Sequence, residues 1–136
     1  MLRHERKIEL LKQVPLFNSC TRRDLVLIAR ASDEIDFKPG RALIKEGAAG
    51  KEFFVIIEGT VDVERGGKKI DALGPGDFFG EASLLTDKPR NATVKTTSDV
   101  QAVVLTKQRF RQVLSQNPLI SFKVMQSVAD RLPERH

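Results

Sequence analysis

EFFVIIEGTVDVERGGKKIDAL, residues 52–73, carries the fold in its punctuation. The apolar run Glu52–Glu58 gives way at Gly59 to the alternating VDVER, and Gly66-Gly67 separates that from KKIDAL. Short alternating or β-branched runs favour a pleated backbone, whose side chains point to opposite faces in turn. A two-residue turn needs positive φ, which glycine reaches without a steric penalty, so Gly66-Gly67 predicts a hairpin. ALIKE at 42–46, ATVKTT at 92–97 and VQAVVLT at 100–106 share the pattern, with Gly40, Gly47, Gly50, Gly74 and Gly76 between them. Several short strands at this spacing predict an antiparallel β-roll, a jelly-roll-like barrel, over residues 35–106.

Outside these limits the period changes to that of a helix. Ile8, Leu10 and Leu11 predict a short helix that Pro15 closes. Thr21-Arg22-Arg23-Asp24 has capping-box spacing, and Leu25, Ile28 and Ala29 follow on one face of a second helix running to about Ala31. After the roll, Phe110, Val113 and Leu114 mark one helix, and Asn117-Pro118 caps and starts another. That last helix carries Leu119, Phe122, Met125, Ala129 and Leu132 on one stripe, with Ile120, Val124 and Val128 beside it, and Pro133 ends it. So broad an apolar face suits packing on the roll alone, or packing plus cover for a ligand or for a second copy in a homodimer. The expected class is α+β, one domain over 1–136, with a helical segment at 3–31, the roll at 35–106 and two C-terminal helices at 107–132.

Composition narrows the function. The chain has 136 residues, a net charge of +5, eight Phe and neither Trp nor Tyr. Lys and Arg alternate with Asp and Glu and form no basic run, which describes a solvated mixed surface and not a nucleic-acid footprint. Cys20 has no partner for an internal disulfide, and the first residues, MLRHERKIELLKQ, lack the apolar run of a signal peptide. No segment approaches the roughly 18 consecutive apolar residues of a membrane span, so a cytoplasmic location is expected and no membrane role. An enzyme finds little to work with. His4 and His136 lie near the ends, and there is no metal-ligand cluster, nucleophile elbow or P-loop.

Phe79–Val94, FGEASLLTDKPRNATV, reads neither as a clean strand nor as an ordinary turn. Gly80 removes a side chain where backbone must approach a ligand, and a short helix starting at Ala82 offers free N–H groups to an anion. Arg90 supplies a permanent charge and a planar fork of donors suited to phosphate. Glu81 would repel a phosphate unless it had another task, such as accepting a hydrogen bond from a ribose hydroxyl. Glycine, acid and arginine together suggest a ribose phosphate; on spacing alone, a simple pairing of Glu81 with Arg90 across a turn is the favoured reading.

The run closely resembles the phosphate-binding cassette of the cyclic nucleotide-binding domain family, which includes protein kinase A regulatory subunits and the catabolite activator protein. FFVIIEGTVDV and LGPGDFFGE extend the resemblance, as does the order of elements along the whole chain. The resemblance implies a short phosphate-binding helix within the roll, Glu81 on the ribose 2′-hydroxyl, and Arg90 on the cyclic phosphate. Backbone groups around Gly80, Ala82, Ser83, Asn91 and Ala92 would complete the cradle, with Phe79 flanking ribose and purine. Asn91 departs from the commonest patterns, Ala in cyclic AMP binders and Thr or Ser in those that accept cyclic GMP. Its amide suits either base, so cyclic AMP is expected from its prevalence in the family and cyclic GMP remains compatible. In the family a C-terminal helix closes over the purine. That role would fall on Met125 to Leu132, with Met125, Val128, Arg131 and Leu132 as lid residues and Arg131 or Leu132 touching the base.

The resemblance thus implies a regulatory sensor of a cyclic nucleotide, with no metal or further cofactor, that repositions its last helices and so signals to an unidentified protein effector. Two alternatives keep the fold. One is a docking module without ligand, against which intact Glu81 and Arg90 weigh. The other is a fragment of a catabolite-activator-type transcription regulator. The few residues after Leu132 leave no room for a recognition helix, so no direct nucleic-acid contact is expected.

Overall fold

In the computed structural model, which describes residues 2–131, five helices accompany eight strands. Helix α1 (Leu2–Lys12) and a 3-10 turn (Pro15–Phe17) lead to α2 (Arg22–Ala31). The strands are β1 (Asp33–Phe37), β2 (Ala42–Ile44), β3 (Glu52–Glu58), β4 (Val61–Arg65), β5 (Lys68–Leu73), β6 (Phe78–Phe79), β7 (Thr93–Thr96) and β8 (Val100–Thr106). Helix α3 (Glu81–Thr86) interrupts them, and α4 (Lys107–Gln116) and α5 (Pro118–Arg131) follow.

The capping box forms in full. Thr21 Oγ1 accepts from Asp24 N at 3.1 Å, and Thr21 N donates to Asp24 Oδ2 at 3.2 Å. Gly66 and Gly67 take φ of 60° and 81° between the paired residues Arg65 and Lys68, as the hairpin demands. Asn117, read from sequence as the cap of the last helix, has its side chain turned to the helix before it, its amide donating to the carbonyl of Val113 at 2.9 Å.

The roll is antiparallel but does not close into a barrel. Its strands form two four-stranded sheets, β1-β8-β3-β6 and β2-β7-β4-β5. Alternating runs look alike in a closed barrel and in two facing sheets, because closure depends on pairings across the chain and not on any one strand. The central strands of the first sheet, β8 and β3, are buried on both faces. Phe53, Val55, Val103 and Leu105 pack with α1, α2, α4 and α5. Phe54, Ile56, Ala102 and Val104 point the other way, onto Val61 and Val94 of the second sheet. Double burial explains why β3 and β8 read as continuous apolar runs and not as alternations. Ring stacking reinforces each side: Phe53 lies on Phe110 with centroids 4.4 Å apart, and Phe54 on Phe79 at 4.8 Å.

In the helical layer, burial pushes the Cys20 thiol up to about 11, with a smaller push from Asp24. At neutral pH it is a protonated packing group. Among the described residues no helix is long and apolar enough to cross a membrane.

Candidate functional site

Between the end of β6 and the start of β7 the chain builds one wall of a cleft of about 340 Å³. Phe79 brings β6 to its rim, and the backbone then reverses at Gly80 with φ of 96°. The reversal leaves no room for a side chain. A Cβ on Gly80 would stand 2.8 Å from the carbonyl oxygen of Glu52 and 3.2 Å from Nη1 of Arg90. Helix α3 begins at the next residue and stops after six residues at Asp87, which takes φ of 59° and donates its N–H to the carbonyl of Ser83. Ser83 Oγ in turn donates to the carbonyl of Lys88 at 2.7 Å, tying the loop after α3 back to its first turn.

Arg90 is fixed at both ends. Its backbone N–H donates to Ala48 O, and its carbonyl accepts from Gly47 N, both at 2.8 Å. Its guanidinium donates through Nη1 to Gly80 O at 2.8 Å and through Nη2 to Glu52 O at 2.7 Å. Only 5% of the residue is exposed, and burial pulls the guanidinium below its usual pKa, while the negative charges of Glu52 and then Glu81 act in the opposite sense. A positive charge held in so dry a place gains strongly from an added anion. Glu81, at the first position of α3, is 1% exposed. None of the buried side-chain polar atoms among the described residues lacks a hydrogen-bond partner.

Phe79, Gly80, Glu81, Ala82, Ser83, Arg90, Asn91 and Ala92 all line this one cleft. Of the proposed lid residues, Met125 alone has a described side chain. Met125 is 61% exposed and stands outside the lining. Val128 and Arg131 are described only as backbone of α5, and Leu132 lies outside the described residues. Helix α5 does reach the cleft, through Asp130, which the sequence reading did not single out.

Sequence reasoning also missed the opposite wall. Ile44, Val63, Leu73 and Val94 supply apolar surface, with Arg65 and Asp71 as polar groups. Arg65 Nε donates to the carbonyl of Asn91 at 2.9 Å, so β4 braces the strand that leaves the cassette. The Val63↔Val94 pairing that creates this wall spans 31 residues of chain, and no local signal announces it.

Comparison with known proteins agrees with this architecture. The sequence model of the cyclic nucleotide-binding domain matches residues 34–117. A cAMP-dependent protein kinase regulatory subunit of Hypocrea atroviridis is 36% identical over 104 residues, which are 76% of this chain and 22% of that one. The chain spans between 22% and 35% of the length of such curated relatives. Among solved structures, cAMP-bound PfPKA-R superposes with a TM-score of 0.81 at 26% identity, covering 94% of this chain and 48% of that one. The regulatory subunit of a cAMP-independent protein kinase A from Trypanosoma cruzi, bound to guanosine, gives 0.80 at 29% identity over 90% of this chain and 44% of its own. These relatives are regulatory subunits of a kinase and not its catalytic part. The matched residues run from β1 through the cleft-building cassette to α4, and on that ground the chain belongs to the cyclic nucleotide-binding domain family, in the form found in protein kinase A regulatory subunits.

Proposed function

We propose that residues 1–136 act as one non-catalytic domain that binds cyclic AMP and passes the event on by repositioning α4 and α5. The observation that carries this reading is the buried Arg90 guanidinium, fixed by two backbone carbonyls in a cleft that all eight of the expected ligand-binding residues line. Arg90 meets the cyclic phosphate there and Glu81 accepts from the ribose 2′-hydroxyl. The backbone around Gly80, Ala82, Ser83, Asn91 and Ala92 closes on the remaining oxygens, and Phe79 lies against the ribose and purine. Asn91 is exposed and its amide can serve either purine. The stretch from Met125 to Leu132 covers the base.

Ligand can move α4 and α5 only by the difference in its affinity for the two positions, so binding and signalling are measured separately. Because the relatives are kinase regulatory subunits, the effector is a kinase catalytic subunit or a protein of that kind, met in the cytoplasm. A homodimer through the apolar stripe of α5 is the competing use of that helix.

Isothermal titration with cyclic AMP, cyclic GMP and 5′-AMP tests the reading, on protein unfolded and refolded to strip carried-over nucleotide. Saturable binding of cyclic AMP, with none of 5′-AMP, is expected. A second reading, a domain of the same fold that does not answer to cyclic nucleotide, draws support from the cAMP-independent kinase to which one relative belongs, whose regulatory subunit is bound to guanosine. It takes the lead if folded protein binds neither cyclic nucleotide.

Glu81→Gln checks the ribose contact. A carboxylate accepts a hydroxyl proton more strongly than an amide does, by about 1 kcal/mol or more where the group is buried. The affinity ratio of cyclic AMP to its 2′-deoxy analogue should therefore shrink by about fivefold or more. An unchanged ratio removes Glu81 from the hydroxyl.

A further inference from the structure

Lys123 extends from α5 to the segment that follows α1. Its ammonium donates to the carbonyl of Pro15 at 3.1 Å, to Oδ1 of Asn18 at 2.7 Å and to Oγ of Ser19 at 3.0 Å. An ammonium carries three hydrogens, and three acceptors converge on this one. On the same helix, Ile120 and Val124 are 3% and 0% exposed, in one apolar cluster with Leu16 and Phe17 of the 3-10 turn. Apolar contact of this kind selects the inward face of a helix but sets its angle only loosely. The three hydrogen bonds are directional, and they fix the rotation of α5 about its own axis.

Rotation matters at the far end. Asp130 follows Lys123 by seven residues, which is about two turns at 3.6 residues each, so the two side chains leave the helix on nearly the same side. Among the described residues, Asp130 is where α5 lines the cleft. The angle set at Lys123 is thus the angle at which α5 meets the cleft.

On the reading of that cleft as a cyclic nucleotide site, we infer that Lys123 is a positioning residue that sets the rotational register of α5 and so prolongs the stay of bound nucleotide without touching it. The N-terminal turn at residues 15–19 becomes part of the binding device, as the fixed point against which the last helix is held.

Lys123→Met keeps the unbranched stem and removes the charge and the donors. Cyclic AMP is expected to leave this variant about three- to tenfold faster, the range open to a few partly exposed charge-assisted bonds. Its association rate should stay within about twofold. Asn18→Ala, which removes one acceptor, gives a smaller increase and adds nothing in the Lys123→Met background, because both act through one contact. Leu119→Ala, 61% exposed on the same helix, leaves the rate alone. Dissociation from Lys123→Met at the parent rate, or additive effects of the two substitutions, overturns the inference.

Hydrogen exchange of the α5 amides is read in parallel and needs no nucleotide. It rises in Lys123→Met while the β-roll amides keep their protection. Unchanged exchange overturns the positioning role, whereas a parent protein that binds no nucleotide overturns only the reading of the cleft.

Discussion

Arg90→Ala is expected to weaken cyclic AMP binding by about 2–5 kcal/mol, the cost of leaving a desolvated charge without its partner. Part of the loss would come from the protein itself. Gly80 O and Glu52 O, which Arg90 holds at 2.8 and 2.7 Å, lose their donors, and the backbone that shapes the cleft relaxes. Arg90→Lys separates the two contributions. It keeps the charge, but a single ammonium cannot reproduce a planar fork set on two carbonyls, so its affinity falls between parent and alanine variant. Titration calorimetry gives the affinities, and circular dichroism shows whether each variant is folded. An Arg90→Ala protein that is folded and binds within a few-fold of the parent would remove Arg90 from the phosphate.

The second large effect falls on stability. Phe53 is 2% exposed, stacks on Phe110 and makes a tilted contact with Phe78 at 5.6 Å, so it joins the first sheet to α4. Phe53→Ala opens a cavity that neighbours fill only in part, at a cost of about 3–5 kcal/mol. Urea unfolding should show a lower midpoint with little change in slope, since the surface exposed on unfolding hardly differs. Phe122→Ala serves as the contrast. That ring is 59% exposed, and its loss is expected to move stability by no more than about 0.5 kcal/mol. Equal effects at the two positions would contradict the packing described for the helical layer.

How much of this was legible in the residues varied with the distance over which each feature is decided. The hairpin at Gly66-Gly67 and the capping box at Thr21 are settled within four residues, and both appear as read. The cassette is local too, sixteen consecutive residues with a glycine, an acid and an arginine in a recognisable order. What spacing could not decide was the relation of Glu81 to Arg90. The answer lies partly in Glu52, a strand away, whose carbonyl takes one terminal nitrogen of the guanidinium and whose charge acts on it ahead of that of Glu81. The far wall of the cleft was invisible for the same reason. Val63 and Val94 meet by strand pairing, and Arg65 reaches Asn91 across 26 residues. The broad apolar stripe of the last helix was read correctly as apolar and ambiguously as to use: Ile120 and Val124 went into the core, while Leu119, Phe122 and Met125 stayed at the surface. A pattern of residue types states which side chains avoid water, not which neighbour will cover them.

Burial on both faces makes β3 two interleaved messages. Phe53 and Val55 answer to the helices, Phe54 and Ile56 to the second sheet. Adjacent residues in this strand therefore pack under separate steric constraints. Substitution at one parity is bounded by how the helical layer can repack, and at the other by the wall behind the ligand cleft. The helical layer can be repacked through the odd positions while the even ones keep the contact between the sheets as it is.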